Sequence, residues 1–232
     1  MTASPLKLLG PNLPGIDWLI IGLVHAALAW TAMQFSPGGG QVAAIWLPDA
    51  VMVAIGFASR MPLARLLPPI VIAHAILLLT RGNSIPSLLS LTAANTIEIA
   101  VALFLMRRSF TQPDKIKEPR CLARFLGIAG LAAAISGLIG AAAIAGVSDS
   151  YPVVLWQWWL AHAMAMMTLA PILLLIEAER RDCRRRDVPL VDAKDAIDIA
   201  LGALAIVAIF AQTTYPLLFL AAPVIQIGRA HV

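Results

Sequence analysis

The sequence predicts an all-α protein, a polytopic transmembrane helical bundle of about eight helices with the last incomplete. Hydrophobic residues make up 60% of the 232 and charged residues only 13%, against about 45–50% apolar and about 25% charged in ordinary soluble domains. Mean hydropathy is +0.84. Apolar runs near the length of about 20 residues that a bilayer requires follow one another with short polar connectors. These observations exclude an ordinary soluble enzyme, a disordered tail and a nucleic-acid-binding module. The expected partner is the lipid bilayer, not nucleic acid.

The N-terminal segment 1–15 is expected to be cytoplasmic, and the integral membrane part to cover 16–226. The first span runs from about Ile16 to Phe35 and the second from Ala43 to Ala58. The third, from Leu66 to Thr80, is the shortest complete run and reads as a short or tilted span. The fourth covers Ile85 to Met106, the fifth Leu122 to Val147, the sixth Val153 to Ile176 and the seventh Ala196 to Tyr215. An eighth begins at Pro216 and is incomplete at Gln226. Lys7 followed by apolar residues imitates a signal peptide, but six further spans favour a retained first helix.

The connectors test this division. One alternate set holds Lys7, Arg60, Arg65, Arg107, Arg108, Lys115, Lys117, Arg120, Arg124, Arg180, Arg181, Arg184, Arg185, Arg186 and Lys194; the other holds only Arg81. Positive connectors stay in the cytoplasm. The expected topology is therefore multi-pass in a bacterial inner membrane with a cytoplasmic N-terminus. Cys121 and Cys183 fall in the cationic set, where thiols stay reduced. The last six residues, 227–232, break the apolar pattern with Arg229 and His231, and they match one reading frame of a common sequencing adapter. An adapter artefact is expected there, with the gene continuing into an output domain.

Ionisable groups within apolar spans cost roughly 2.5–3.5 kcal/mol each near the centre. His25, His74 and His162 fall near mid-membrane on the first, third and sixth spans. Glu98 lies on the fourth with Asn95 one turn away, and Asp49 follows Pro48 in the outer third of the second. Trp156, Trp158 and Trp159 open the sixth span. The candidate sensory pocket comprises Asp49, Asn95, Glu98, Trp159 and His162, open to the outer side, with His162 as an adjustable proton site. Plainer readings stand beside it: Trp156 and Trp158 as interfacial belt, His25 and His74 as interhelical hydrogen-bond partners, and each carboxylic acid as protonated and bonded to a neighbouring helix. Ala133, Gly137, Ala141 and Ala145 form a small-residue ladder suited to close helix packing.

No HExxH, GxSxG or phosphate-cradling glycine loop occurs, and no Cys/His spacing suits zinc. No catalytic residue, metal or cofactor is expected, and the chain is not expected to be an enzyme.

Three segments carry a family resemblance: Ile45-Trp46-Leu47-Pro48-Asp49-Ala50-Val51, Ala94-Asn95-Thr96-Ile97-Glu98, and Trp156-Gln157-Trp158-Trp159-Leu160-Ala161-His162 with Pro171 nine residues later. In this order they resemble the bacterial membrane-associated sensor domain of the first class, the MASE one family. The resemblance covers nearly the whole chain. It implies an eight-helix input domain preceding a cytoplasmic diguanylate cyclase, cyclic-di-GMP phosphodiesterase or histidine kinase. His162 stands where the family commonly carries aspartate, and Ala165 where a nearby glycine is usual. The expected function is thus a sensory module passing an unidentified stimulus to a covalently linked output domain, with a homodimer left open. A small permease or a transporter's substrate-binding subunit is the alternative, although paired interrupted helices in matching halves are lacking. An intramembrane enzyme is the third reading.

Overall fold

The computed structural model describes residues 14–34, 42–145 and 150–186. Helices dominate them: α1 (Pro14–Gln34), α2 (Leu47–Ala58), α3 (Leu63–Thr80), α4 (Ile85–Ser109), α5 (Pro119–Ala145) and α6 (Tyr151–Arg186). A short 3-10 turn at Pro113–Lys117 precedes α5. No strand occurs among the described residues. The seventh and eighth apolar runs, the N-terminal residues 1–13 and the tail from Ile227 lie outside them. Four helices, α3 to α6, are long and apolar enough to cross a membrane.

Proline and serine punctuate the chain. Prolines open α1 and α5 and occupy the first turns of α2, α4 and α6, where the missing N–H has no helical partner to lose. Ser84 caps α4, its hydroxyl accepting the Ser87 N–H at 3.4 Å, which satisfies one of the first-turn donors. At the end of α3 the chain turns through Gly82 with φ +77°. That left-handed conformation costs a side chain about 1–2 kcal/mol. Arg107 closes α2 from outside, donating to the carbonyls of Gly56 at 3.0 Å and of Met61.

The helices alternate in direction. Buried Asp17 at the start of α1 pairs with Arg65 at the start of α3. Arg81 at the far end of α3 reaches Met33 Sδ at 3.9 Å near the end of α1, so α1 and α3 run parallel. Arg60, just beyond α2, donates to the Thr111 carbonyl just beyond α4 at 2.6 Å. The ends holding Arg60, Arg65, Arg107 and Arg108 therefore share one side, and the turn at Arg81 and Gly82 lies on the other.

At the cationic side the bundle is solid, with Leu66, Leu103, Met106, Phe125, Met166 and Leu174 fully buried in one apolar cluster. Its outer surface is apolar as well: Leu19, Leu23, Ile72, Ile76, Leu89, Leu131 and Leu138 are all more than half exposed. A continuous apolar exterior belongs in lipid rather than water.

The structure corrects the second run. Its apolar residues begin at Ala43, but helix begins only at Leu47, and 42–46 are irregular. At about 1.5 Å per residue, 12 residues reach only about 18 Å of a bilayer core about 30 Å thick. Irregular backbone at that depth persists only where protein buries it or where it borders water.

The chain divides into two units, Met1–Ala178 and Glu179–Val232. The bundle described above belongs to the first. Of the second, the described part is the helical end of α6, in which Cys183 Sγ lies 3.9 Å from Glu179 Oε1.

Removing Arg65 leaves the Asp17 carboxylate buried without this countercharge. We expect R65A to lower stability by about 2 kcal/mol, less than the 3–5 kcal/mol of a fully buried pair because Arg65 remains 28% exposed. The D17N/R65A double variant should lose less than the two single losses combined; thermal unfolding in detergent measures both, and strict additivity would contradict the pairing.

Candidate functional site

Three helices each bring one ionisable side chain to a common point. Pro48 starts α2 and sets Asp49 in its first turn, 1% exposed. α4 supplies Glu98, with Asn95 one turn earlier on the same face, and α6 supplies His162; all are buried. His162 Nδ1 lies 2.6 Å from Glu98 Oε2 and 3.8 Å from Asp49 Oδ2. Both Asp49 oxygens and Glu98 Oε1 are buried without a hydrogen bond. One imidazole cannot neutralise two carboxylates, and unpaired charge in a low-dielectric interior costs several kcal/mol. The cluster therefore calls for a proton or a cation. Asp49, Glu98 and His162 each offer one ligand atom, all within 4.8 Å of one another, and among the described residues these are the group that could hold a metal.

Two indoles fix the imidazole. Trp158 lies 4.5 Å from His162 between ring centroids with planes 14° apart, and Trp46 lies 5.5 Å away at 18°. Trp158 is tied to α5 through its N–H, which donates to Ser136 Oγ at 2.8 Å. Beneath its ring sits Gly140, where a Cβ would fall 2.6 Å from the indole carbons. Gly140, together with Gly137 of the small-residue ladder, whose Cβ would lie 3.4 Å from the same indole, thus seats an aromatic wall of the site. Trp46 is held from behind: its backbone N–H donates to the Ala161 carbonyl at 3.2 Å.

The other face of Trp46 meets a second imidazole pair. His74 packs edge-on against it at 5.8 Å, and His74 Nδ1 lies 3.1 Å from His25 Nε2. One nitrogen of that pair must donate and the other accept, which suits two neutral rings.

Above the cluster lies a cavity of about 330 Å³, bordered by Val42, Ala43, Trp46, His74, Arg81, Asn83, Asn95, Trp158 and His162. It occupies the side of the bundle away from the cationic connectors. The irregular stretch before α2 forms part of its wall, which accounts for non-helical backbone at that level.

Of the residues expected in the pocket, Asp49, Glu98 and His162 meet, and Asn95 borders the cavity with Oδ1 unbonded. Trp159 does not enter. Its N–H donates to the Gly130 carbonyl at 3.0 Å and its ring packs on Trp156, which is 60% exposed as a belt residue would be. Trp158, expected in that belt, is buried in the wall instead. The i,i+4 step from Trp158 to His162 deviates about 40° around a helix, and the i,i+3 step from Trp159 about 60° the other way; spacing alone barely separates them. Trp46 and His74 were also missed as site residues, though Trp46 lies in the segment carrying Asp49. The expectation of no metal rested on local Cys/His spacing, and the structure assembles its candidate ligands from three separate helices.

The family model described as MASE1 matches residues 18–228. No curated protein and no solved structure matches the chain.

The seat of Trp158 makes a test. Alanine normally stabilises a helix over glycine by about 1 kcal/mol, and G127A should do so because nothing lies within 4 Å of its Cβ position. G140A should instead destabilise by about 1–3 kcal/mol through overpacking against a tethered ring. Thermal midpoints of the two variants give the comparison; equal shifts would contradict the packing described.

Proposed function

Because the chain belongs to the MASE1 family of membrane-associated sensor domains, we propose that it is the input module of a bacterial signal-transduction protein. It sits in the inner membrane with its N-terminus in the cytoplasm and serves a cytoplasmic diguanylate cyclase, cyclic-di-GMP phosphodiesterase or histidine kinase. The stimulus is a small solute that enters the cavity from the outer side. There it meets the Asp49–Glu98–His162 cluster, with Trp46 and Trp158 as walls and Asn95 as a further polar contact.

The observation that carries this reading is the junction of α2, α4 and α6 at one buried polar point below a cavity. A ligand that contacts the cluster differently in two arrangements of those helices shifts their populations, and only by its differential affinity. α6 suits transmission. Its 36 residues span about 54 Å at the usual helical rise, more than a bilayer core, and they include His162 of the cluster. The solid apolar packing of the cationic half supports a sensor over the permease alternative, since a conducting path would need polar lining through that half.

E98Q preserves shape while removing the charge that faces His162. With a cytoplasmic reporter enzyme fused beyond a completed eighth span, the parent should change output when the external medium is varied. E98Q should flatten the response at least about fivefold, the lower range of coupling between linked sites, while membrane insertion is unchanged. A response of full amplitude in E98Q would overturn the role given to the cluster.

A further inference from the structure

We propose that Asp49, Glu98 and His162 form a binding site for one divalent first-row transition-metal cation of the zinc type, reached through the outward cavity. The proposal deepens the sensory reading and rests on it only for the idea that occupancy is signalled.

The donor set is one imidazole nitrogen and two carboxylates, a combination that suits zinc and its neighbours. Magnesium and calcium prefer oxygen ligands in larger number. Two ligand atoms held at about 2.0–2.1 Å in tetrahedral geometry stand about 3.4 Å apart. The present separations from His162 Nδ1, 2.6 Å to Glu98 Oε2 and 3.8 Å to Asp49 Oδ2, bracket that spacing. Side-chain adjustments below 1 Å would bring both to it. Charge balances too: a dication with two carboxylates and a neutral imidazole sums to zero, removing the cost of unpaired charge in a dry interior.

Three further features fit a bound cation. Glu98 Oε1 is buried in the cluster without a hydrogen bond, and Asp49, whose oxygens lack hydrogen-bond geometry, has the Trp46 side chain as its neighbouring donor, so accepting capacity remains. Trp46 and Trp158 hold the imidazole plane, the kind of support that orients a ligating histidine. The cavity borders His162 and Asn95, leaving one side of the cluster open to water for the remaining coordination position, as in sites that exchange their ligand. Arg81 lies at the cavity wall but is solvent-exposed, where salt screens it. The carboxylates below are not screened in that way.

The test uses the full chain in lipid nanodiscs, freed of affinity tag and metal, with Zn²⁺ as the probe, and a C121S/C183S background to remove thiol ligands. Equilibrium dialysis with elemental analysis should find one saturable Zn²⁺ per chain. Mg²⁺ and Ca²⁺ at equal concentration should not compete. D49N, E98Q and H162Q should each weaken binding about a hundredfold or more, beyond the 10–100-fold typical of residues that merely support a ligand. X-ray absorption on the zinc-loaded parent should show nitrogen and oxygen donors, a readout independent of whether any variant folds. Absence of saturable binding, affinity untouched by all three substitutions, or a sulfur donor would each overturn the site. A reporter fusion that responds to its external medium while the chain binds no zinc would sink this proposal and leave the sensory reading standing.

Discussion

Two carboxylates placed in an apolar helix bundle are the constraint around which the half of the bundle away from the cationic connectors is arranged. Asp49 and Glu98 are almost wholly withdrawn from solvent, and an isolated charge there would be ruinous. Each therefore needs a partner from another helix, and His162 stands between them. That need fixes the relative register of α2, α4 and α6 more tightly than apolar packing does, because lipid tails compete with side chains for apolar contact but offer nothing to a carboxylate.

The surrounding features follow from holding one imidazole still. Trp158 covers one part of the His162 ring and is itself hung on Ser136 and pressed over Gly140. Trp46 stacks on the ring only because the chain enters α2 through an irregular stretch whose backbone is bonded to α6. The histidine pair His25–His74 extends polar character from Trp46 toward α1. Among the described residues of the cationic half no such network exists at the centre; the polar groups there are edge devices, Arg107 on the carbonyls at the end of α2 and Arg65 on Asp17. The bundle thus has a solidly packed apolar floor and a polar, partly open upper half.

Much of this is legible in the sequence because oil makes anomalies conspicuous. Each apolar run that falls within the described residues corresponds to a helix, and Asp49, Glu98 and His162 stand out as residues that a membrane should have excluded. What the sequence leaves open is partnership. Periodicity assigns Trp158 and Trp159 to neighbouring faces of α6 without saying which face meets α4, and the choice falls to packing against α5. Asp17 carries no weight in the pattern because it opens the first span, where a charge looks like a boundary; its burial depends on Arg65, 48 residues away. The break before Leu47 is hidden by continuous apolar residues from Ala43, since hydropathy reports burial and not backbone conformation. The three candidate metal ligands are separated by about fifty residues and more, so no local spacing rule finds them.

Glu98 and His162 act as one buried pair. A double-mutant cycle with E98Q, H162Q and the combined variant, read as unfolding free energy in detergent at constant pH without added metal, tests it most directly. The expected coupling energy is about 1.5–3 kcal/mol, the range for a hydrogen bond to a charged group. Additive losses, with a coupling near zero, would mean that the two side chains do not sustain each other and that the cluster is not the organising point of the fold.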